Sequence, residues 1–231
     1  MLALPDDYRA LVLGASGGIG AAMVERLKGD SRCASVEALH RRSPVAIDFD
    51  HEDSIASAAE TLRAVGPFHL IVNAAGLLHA SGFMPEKKLG DLSYAQMLET
   101  FRVNTFGPAL VLRHFAPLLD ADRSVMAFLS AKVGSIGDNR LGGWYSYRAS
   151  KAALNMIVKT AAIELARTRP GAIVVAMHPG TVDTRLSRPF RGAQIGRPAV
   201  IAAAEMLDVL ASLSPKDSGS FVAYDGTRLP W

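Results

Sequence analysis

From Arg9 onward the chain repeats one pattern: a short apolar run, a turn of small or polar residues, then a segment with helical periodicity. The apolar runs begin with Ala10–Leu13 and continue through Ser35–His40, Val45–Phe49, Phe68–Asn73, Ser124–Leu129, Ala172–Met177 and Phe221–Tyr224. Between them lie helix candidates at Ala21–Leu27, Asp53–Val65, Asp91–Leu119, the run from Tyr147 to just before Pro170, and Pro198–Leu213. Strands separated by helices run parallel, and a parallel sheet buries both its faces under those helices. The expected fold class is therefore α/β. We expect a single-domain Rossmann-type doubly wound parallel sheet with helices on both faces, spanning residues 1–231. In such a sheet ligands gather at the carboxyl ends of the strands.

Those strand ends carry the chemistry. After the first run come Gly14, Gly18 and Gly20, spaced Gly-x-x-x-Gly-x-Gly, with Ser16 and Ile19 between them and a helical segment beyond. Small residues there let a helix N-terminus approach a pyrophosphate, whose charge the free N–H groups and the helix dipole stabilise. The second run ends at Arg41-Arg42. An acid at this place accepts from ribose hydroxyls, whereas an arginine suits a 2′-phosphate, so NADP(H) is favoured over NAD(H). Two solvated surface arginines are the alternative. The Val45 run reads as a short strand ending at Asp48. Asn73 can fix the following turn through its amide, while Ala74, Ala75 and Gly76 leave room for a flat ligand; a plain tight turn is the competing reading.

Tyr147 and Lys151 open the long Pro-free helix, four residues apart and hence on one face. A phenol normally keeps its proton to pH ~10, and a neighbouring ammonium favours the phenolate, so the pair can pass a proton nearer neutrality. Asn104 interrupts the preceding helix together with Gly107 and Pro108, and is expected as a satisfied polar group or a local kink. His178, at a strand end beside Pro179, is expected to be packed or backbone-bonded. Arg185, Arg188, Arg191 and Arg197 mark a polar flap from Thr184 to Arg197, suited either to an anionic substrate or to solvent.

Composition narrows the rest. A chain of 231 residues, 49% hydrophobic, is long enough for one well-packed core. No apolar run approaches the ~20 residues that span a bilayer, and the N-terminus lacks the pattern of a signal peptide, so no membrane partner is expected. The lone Cys33 can form no internal disulfide, which fits a cytoplasmic location. Net charge is +3, scattered rather than clustered, which gives little support to nucleic-acid binding. No Cys/His cluster has metal-ligand spacing.

Taken together, Gly14-x-x-x-Gly18-x-Gly20, Asp48, Asn73-Ala-Ala-Gly76, Asn104, Tyr147-x-x-x-Lys151 and Pro179-Gly-x-Val-x-Thr184 resemble the short-chain dehydrogenase/reductase family over nearly the full length. The ending Tyr224–Trp231 and the run around Tyr147 resemble its C-factor-like branch. The resemblance implies an NADPH-dependent oxidoreductase acting on a small carbonyl or alcohol, with Tyr147 as general acid. It implies that Lys151 lowers the tyrosine pKa and binds the nicotinamide ribose, and that Asn104 holds a water linking Lys151 to solvent. It gives Asp48 the adenine amine, and Pro179, Gly180, Val182 and Thr184 the nicotinamide carboxamide. It also implies a homo-oligomer, dimer or tetramer, paired through the Tyr147 helix and the helix before it.

Two positions depart from the family pattern. Leu13 stands where the family usually has Thr. More seriously, Ala131 stands where a substrate-polarising Ser is expected. Ser135 is expected to fold back and replace it; Ser130 and no serine at all are the other outcomes. An NADP-binding regulatory or signalling protein with little turnover is the alternative to the reductase.

Overall fold

The computed structural model describes residues 4–231. Six strands form one parallel sheet: β1 (Tyr8–Leu13), β2 (Cys33–Leu39), β3 (Leu70–Asn73), β4 (Ser124–Leu129), β5 (Ala172–His178) and β6 (Phe221–Ala223), in the order β2-β1-β3-β4-β5-β6. The helices are α1 (Gly18–Lys28), α2 (Glu52–Leu62), α3 (Tyr94–Phe101), α4 (Gly107–Phe115), α5 (Tyr145–Thr168), the one-turn α6 (Gly192–Ile195) and α7 (Ala199–Ser212).

The two-residue period of the strands divides the core in two. Leu11 and Leu13 of β1, Phe128 of β4 and Val174 of β5 pack with Ile55, Phe115 and Val158 of α2, α4 and α5. The alternate residues Ala10, Val12, Ala127 and Val175 pack with Met23 and Met206 of α1 and α7. Both faces are thus apolar, as a parallel sheet covered on both sides requires. Strand β1 lies between β2 and β3, so the chain reverses its direction of travel across the sheet there, and the carboxyl ends of β1 and β3 flank a topological switch point.

One expected strand is missing. Val45–Phe49 forms no ladder, and β2 is left as the sheet edge. A parallel neighbour needs a crossover of about a dozen residues or more, and the short link after Leu39 is far from that length. The segment is instead held as a loop. Ser43 Oγ accepts from His40 N–H at 2.9 Å, Ile47 N–H donates to the His40 carbonyl at 3.2 Å, and Ile47 is buried. The long helix predicted over Asp91–Leu119 is broken by a π-helical turn at Arg102–Phe106, which holds Asn104.

Candidate active site

Helix α5 positions Tyr147 and Lys151. It buries Tyr147, Lys151, Leu154, Val158 and Ala162 along one stripe, the face turned to the sheet. Lys151 Nζ lies 5.8 Å from the Tyr147 ring centroid and donates to the Leu129 carbonyl, at the end of β4, at 2.8 Å. The Tyr147 hydroxyl bonds to none of the described residues. Burial pushes its pKa well above the ordinary phenol value, and burial pulls Lys151 down to about 7. This corrects the expectation that the lysine would lower the tyrosine. Desolvation outweighs the neighbouring cation here, and a lysine with its pKa near 7 carries its charge only about half the time at neutrality.

Asn104 sits fully buried in the π-helical turn. Its Nδ2 donates to the Leu77 carbonyl at 2.7 Å and to Ser150 Oγ at 3.1 Å, while its Oδ1 accepts from Leu77 N–H at 2.8 Å. A Cβ on Gly76 would lie 3.7 Å from both Asn104 Oδ1 and Lys151 Nζ. Gly76 therefore marks the point where the ends of β3, α5 and the π-helical turn converge.

A cleft of about 790 Å³ runs over the switch point. Gly14, Ser16, Arg41, Asp48, Ala74, Ala75 and Gly76 line it, together with Gly17, His40, Phe49, Leu77, His79, Arg102 and Arg185. Its floor is built from backbone. Gly14 has φ +79°, and a Cβ there would come 2.7 Å from Ala75 N. A Cβ on Gly18 would meet the Thr184 methyl at 2.8 Å, and one on Gly20 would collide with the Gly14 carbonyl. Helix α1 has no side-chain cap and no acid in its first turn, so the N–H groups of Gly18, Ile19 and Gly20 remain available to an anion. Asn73 Oδ1 accepts from Ala75 N–H at 3.1 Å and shapes the opposite lip.

A sequence model of the family described as short chain dehydrogenase matches residues 8–194. This chain belongs to that family. Among its relatives is the C-signal of Myxococcus xanthus, 38% identical over 176 residues, covering 75% of this chain and 99% of that protein. Another is the 1-hydroxy-2-glutathionyl-2-methyl-3-butene dehydrogenase of a Rhodococcus species, 34% identical over 185 residues and covering 80% and 78% of the two chains. The NADPH-bound carbonyl reductase from chicken fatty liver has a similar structure, with TM-score 0.86 and 26% identity over 100% of this chain and 96% of that one.

Within this short-chain dehydrogenase the serine question takes a definite shape. Ser135 is buried and fully engaged: its hydroxyl donates to the Trp231 carbonyl at 3.2 Å and accepts from Asp138 N–H at 3.1 Å. The expectation that it would fold back onto the substrate oxygen is not met in this structure, where Trp231 and Asp138 hold its hydroxyl. Ser130 Oγ donates to Asn155 Oδ1 at 2.6 Å. Ala131 is buried in the same small apolar cluster as Tyr147.

Pro179, Gly180 and Val182 lie outside the cleft lining. Gly180 has φ +70°, and a Cβ there would strike the Tyr224 ring at 2.7 Å. Arg197 holds this turn by donating to the Pro179 carbonyl at 2.5 Å and lying 3.5 Å over the Tyr224 ring. Of the other flap arginines, Arg188 pairs with Asp183 at 2.9 Å, Arg191 bonds Gln194 at 3.0 Å, and Arg185 faces the cleft. His178 stays neutral, its pKa lowered to about 4 chiefly by burial, and its Nδ1 accepts from Lys132 N–H at 3.2 Å.

Sequence reasoning missed Glu86. It is 2% exposed; its carboxylate accepts from Ser146 N–H at 3.2 Å and from the Ser146 hydroxyl, at the first turn of α5. An anion at a helix N-terminus is favoured by the macrodipole. Trp144, the residue before the helix, has φ +53° and supplies no side-chain cap, so Glu86 takes that task from far along the chain. An acid in a stretch with no periodic pattern gave no signal of this.

Among the described residues no helix is long and apolar enough to cross a membrane, and no group of His, Cys, Asp or Glu side chains has the arrangement of a metal site.

Proposed function

We propose that the chain is an NADPH-dependent carbonyl reductase with Tyr147 as the general acid. The observation that carries this reading is the Tyr147 hydroxyl, left free by the protein, beside a buried Lys151 where the cleft reaches Gly76. The chicken reductase binds NADPH, and a short-chain dehydrogenase from Burkholderia cenocepacia, 26% identical with a TM-score of 0.78 over 95% of this chain and 88% of that one, binds NADP.

The cleft suits a dinucleotide because its floor is open backbone at an uncapped helix N-terminus. The N–H groups of Gly18, Ile19 and Gly20 would take the pyrophosphate, with Gly14 and Ser16 shaping the turn. Arg41 would take the 2′-phosphate, Asp48 the adenine amine, and Asn73 through Gly76 the flat base edge. Lys151 would bind the nicotinamide ribose, and Pro179, Gly180, Val182 and Thr184 the carboxamide. When bound, the reduced nicotinamide supplies a hydride to a carbonyl carbon. Tyr147 Oη then gives its proton to the substrate oxygen, and burial ensures that the proton is present at neutral pH. Anionic phosphates nearby would raise the Lys151 pKa, so that its ammonium stabilises the tyrosinate left behind. Asn104 fixes Leu77 and would hold the water through which Lys151 is reprotonated.

A second reading, an NADP-binding regulatory protein with little turnover, is favoured by Ala131 at the polariser position and by the likeness to C-signal. NADPH consumption against a panel of quinones, diketones and aldehydes separates the two. Turnover supports the reductase, and tight NADPH binding without turnover supports the alternative. We also infer a homo-oligomer paired through α4 and α5. The flank of that pair exposes Phe106, Met156 and Ile163 at 47%, 66% and 50%. A light-scattering mass near 24.6 kDa at micromolar concentration would refute it.

A further inference from the structure

Glu86 is a buried acid that no step of the proposed reaction uses, yet its bonds end on the residue beside the general acid. It is 2% exposed. One carboxylate oxygen accepts from Ser146 N–H at 3.2 Å and the other from the Ser146 hydroxyl, while the Glu86 carbonyl accepts from Trp144 N–H at 2.5 Å. The chain enters α5 through three consecutive left-handed residues, Gly142, Gly143 and Trp144, at φ +63°, +64° and +53°. That conformation is uncommon for a bulky residue such as Trp144 and persists where the surroundings over-determine it.

Glu86 supplies that restraint from a segment that is itself fixed. Gln96 of α3 donates to the Met84 carbonyl at 3.1 Å, and the N–H groups of Lys87 and Lys88 donate to Asp91 at 3.0 and 3.2 Å. The restraint reaches Tyr147 by two routes. One is the peptide bond that joins Ser146 to Tyr147. The other is the Trp144 ring, which meets the Tyr147 ring edge to face at a centroid distance of 6.2 Å. Phe190 backs Trp144 at 5.0 Å, with His79 beyond it at 5.7 Å. On the far side the Tyr147 carbonyl accepts from Ser150 Oγ at 2.8 Å, and Ser150 Oγ accepts from Asn104 at 3.1 Å. Tyr147 is thus anchored twice, by Asn104 through Ser150 and by Glu86 through Ser146.

We propose that Glu86 is a positioning residue for the general acid: by fixing the first turn of α5 it sets where the Tyr147 hydroxyl meets the substrate oxygen. This inference rests on the reductase reading. Proton transfer needs donor and acceptor within roughly 2.6–3.2 Å, and a misplacement of about 1 Å can cost ~10²-fold in rate. The aim of the phenol matters more here because the loop after β4 offers little to correct it. Ser130 is bonded to Asn155, Ser135 to Trp231 and Asp138, and Ala131 has no hydroxyl to give.

Glu86→Ala removes both acceptors, whereas a glutamine in Glu86→Gln can still accept from Ser146 N–H and donate to its hydroxyl oxygen. With NADPH and diacetyl, or the fastest carbonyl of the panel, kcat should fall roughly ten- to a hundredfold in Glu86→Ala and stay within about threefold in Glu86→Gln. NADPH affinity, read by fluorescence, should hold in both. In a Tyr147→Phe background Glu86→Ala should cost nothing further, because its effect runs through the missing hydroxyl. Amide hydrogen exchange at Ser146 and Arg148 should quicken in Glu86→Ala while Leu154 to Ala162 keep their protection, which marks a local loosening of a folded protein. An unchanged kcat in folded Glu86→Ala, an equal loss in Glu86→Gln, or a full further loss in the Tyr147→Phe background would each overturn the positioning role. If Glu86→Ala does not fold, Ser146→Ala takes its place: losing one hydrogen bond should lower kcat by roughly two- to tenfold, and an unchanged kcat overturns the role. Should wild-type protein reduce no carbonyl, the reductase reading fails and exchange alone decides whether Glu86 holds the Tyr147 turn. Quickening confined to Ser146 and Arg148 sustains that hold, and unchanged exchange overturns it.

Discussion

The cleft over the switch point and the cluster around Tyr147 are built from different materials. At the β1–β3 end the surface is backbone: Gly14 approaches Ala75 so closely that no Cβ fits, α1 presents free N–H groups, and Asn73 locks the opposing turn. At the Tyr147 end the surface is side chain: three rings and an alanine, contributed by segments distant in sequence. A backbone surface answers to any dinucleotide and tolerates almost no substitution. A side-chain surface can be recut residue by residue, so the chemistry can be kept while its substrate changes.

The sharpest way to break that division is Tyr147→Phe. It deletes the free hydroxyl but keeps nearly all the buried area, so carbonyl reduction should fall by ~10²–10⁴-fold while NADPH affinity holds. A variant retaining more than about a tenth of the rate would show that the proton comes from elsewhere. At the backbone end Arg41→Ala probes a side chain at the cleft's rim. A charge-assisted phosphate contact contributes ~1.5–3 kcal/mol, so NADPH affinity should weaken roughly ten- to a hundredfold with little change for NADH. Equal losses for both cofactors would move Arg41 away from the 2′-phosphate.

Lys151 joins the two ends, and its effect is read in pH. Its pKa is about 7 in the folded protein against an ordinary value of 10.5, so between those values the unfolded chain binds more protons. Stability from this group therefore rises with pH from about 7 toward 10.5. Urea unfolding of wild type and Lys151→Met at pH 7 and pH 9 should show that rise shrinking in the variant. An identical pH slope in both proteins would mean that the ammonium is not desolvated. The smallest effect is expected from Ser135→Ala: turnover within about twofold of wild type, with a loss of ~1 kcal/mol in unfolding free energy from its two hydrogen bonds. Ala131→Ser, by contrast, should raise the rate on diacetyl. A large loss of rate in Ser135→Ala would return that serine to the substrate oxygen.

What was legible in the amino-acid sequence follows the same division. The glycine turn, Asn73 and the Tyr147–Lys151 pair are local: each depends on spacings of a few residues, which periodicity fixes. The strands were legible for the same reason, apart from Val45–Phe49, where β-forming residues had no connection long enough to place them beside β2. Glu86, Arg197 and the ring cluster depend on contacts over long separations; His79 and Leu186 are 107 residues apart. Ser135 misled because counting back from Tyr147 measures chain length, while the hydroxyl's partner, Trp231, is 96 residues away.

The absence of a ladder over Val45–Phe49 has a consequence away from the active site. It leaves β2 with one flank of peptide groups unpaired, and an open flank is a template onto which another extended chain can add. Glu37 stands in the middle of that strand, opposite Leu11 of β1. A charged side chain at such a place works against edge-to-edge stacking of copies, a protection set far from Tyr147.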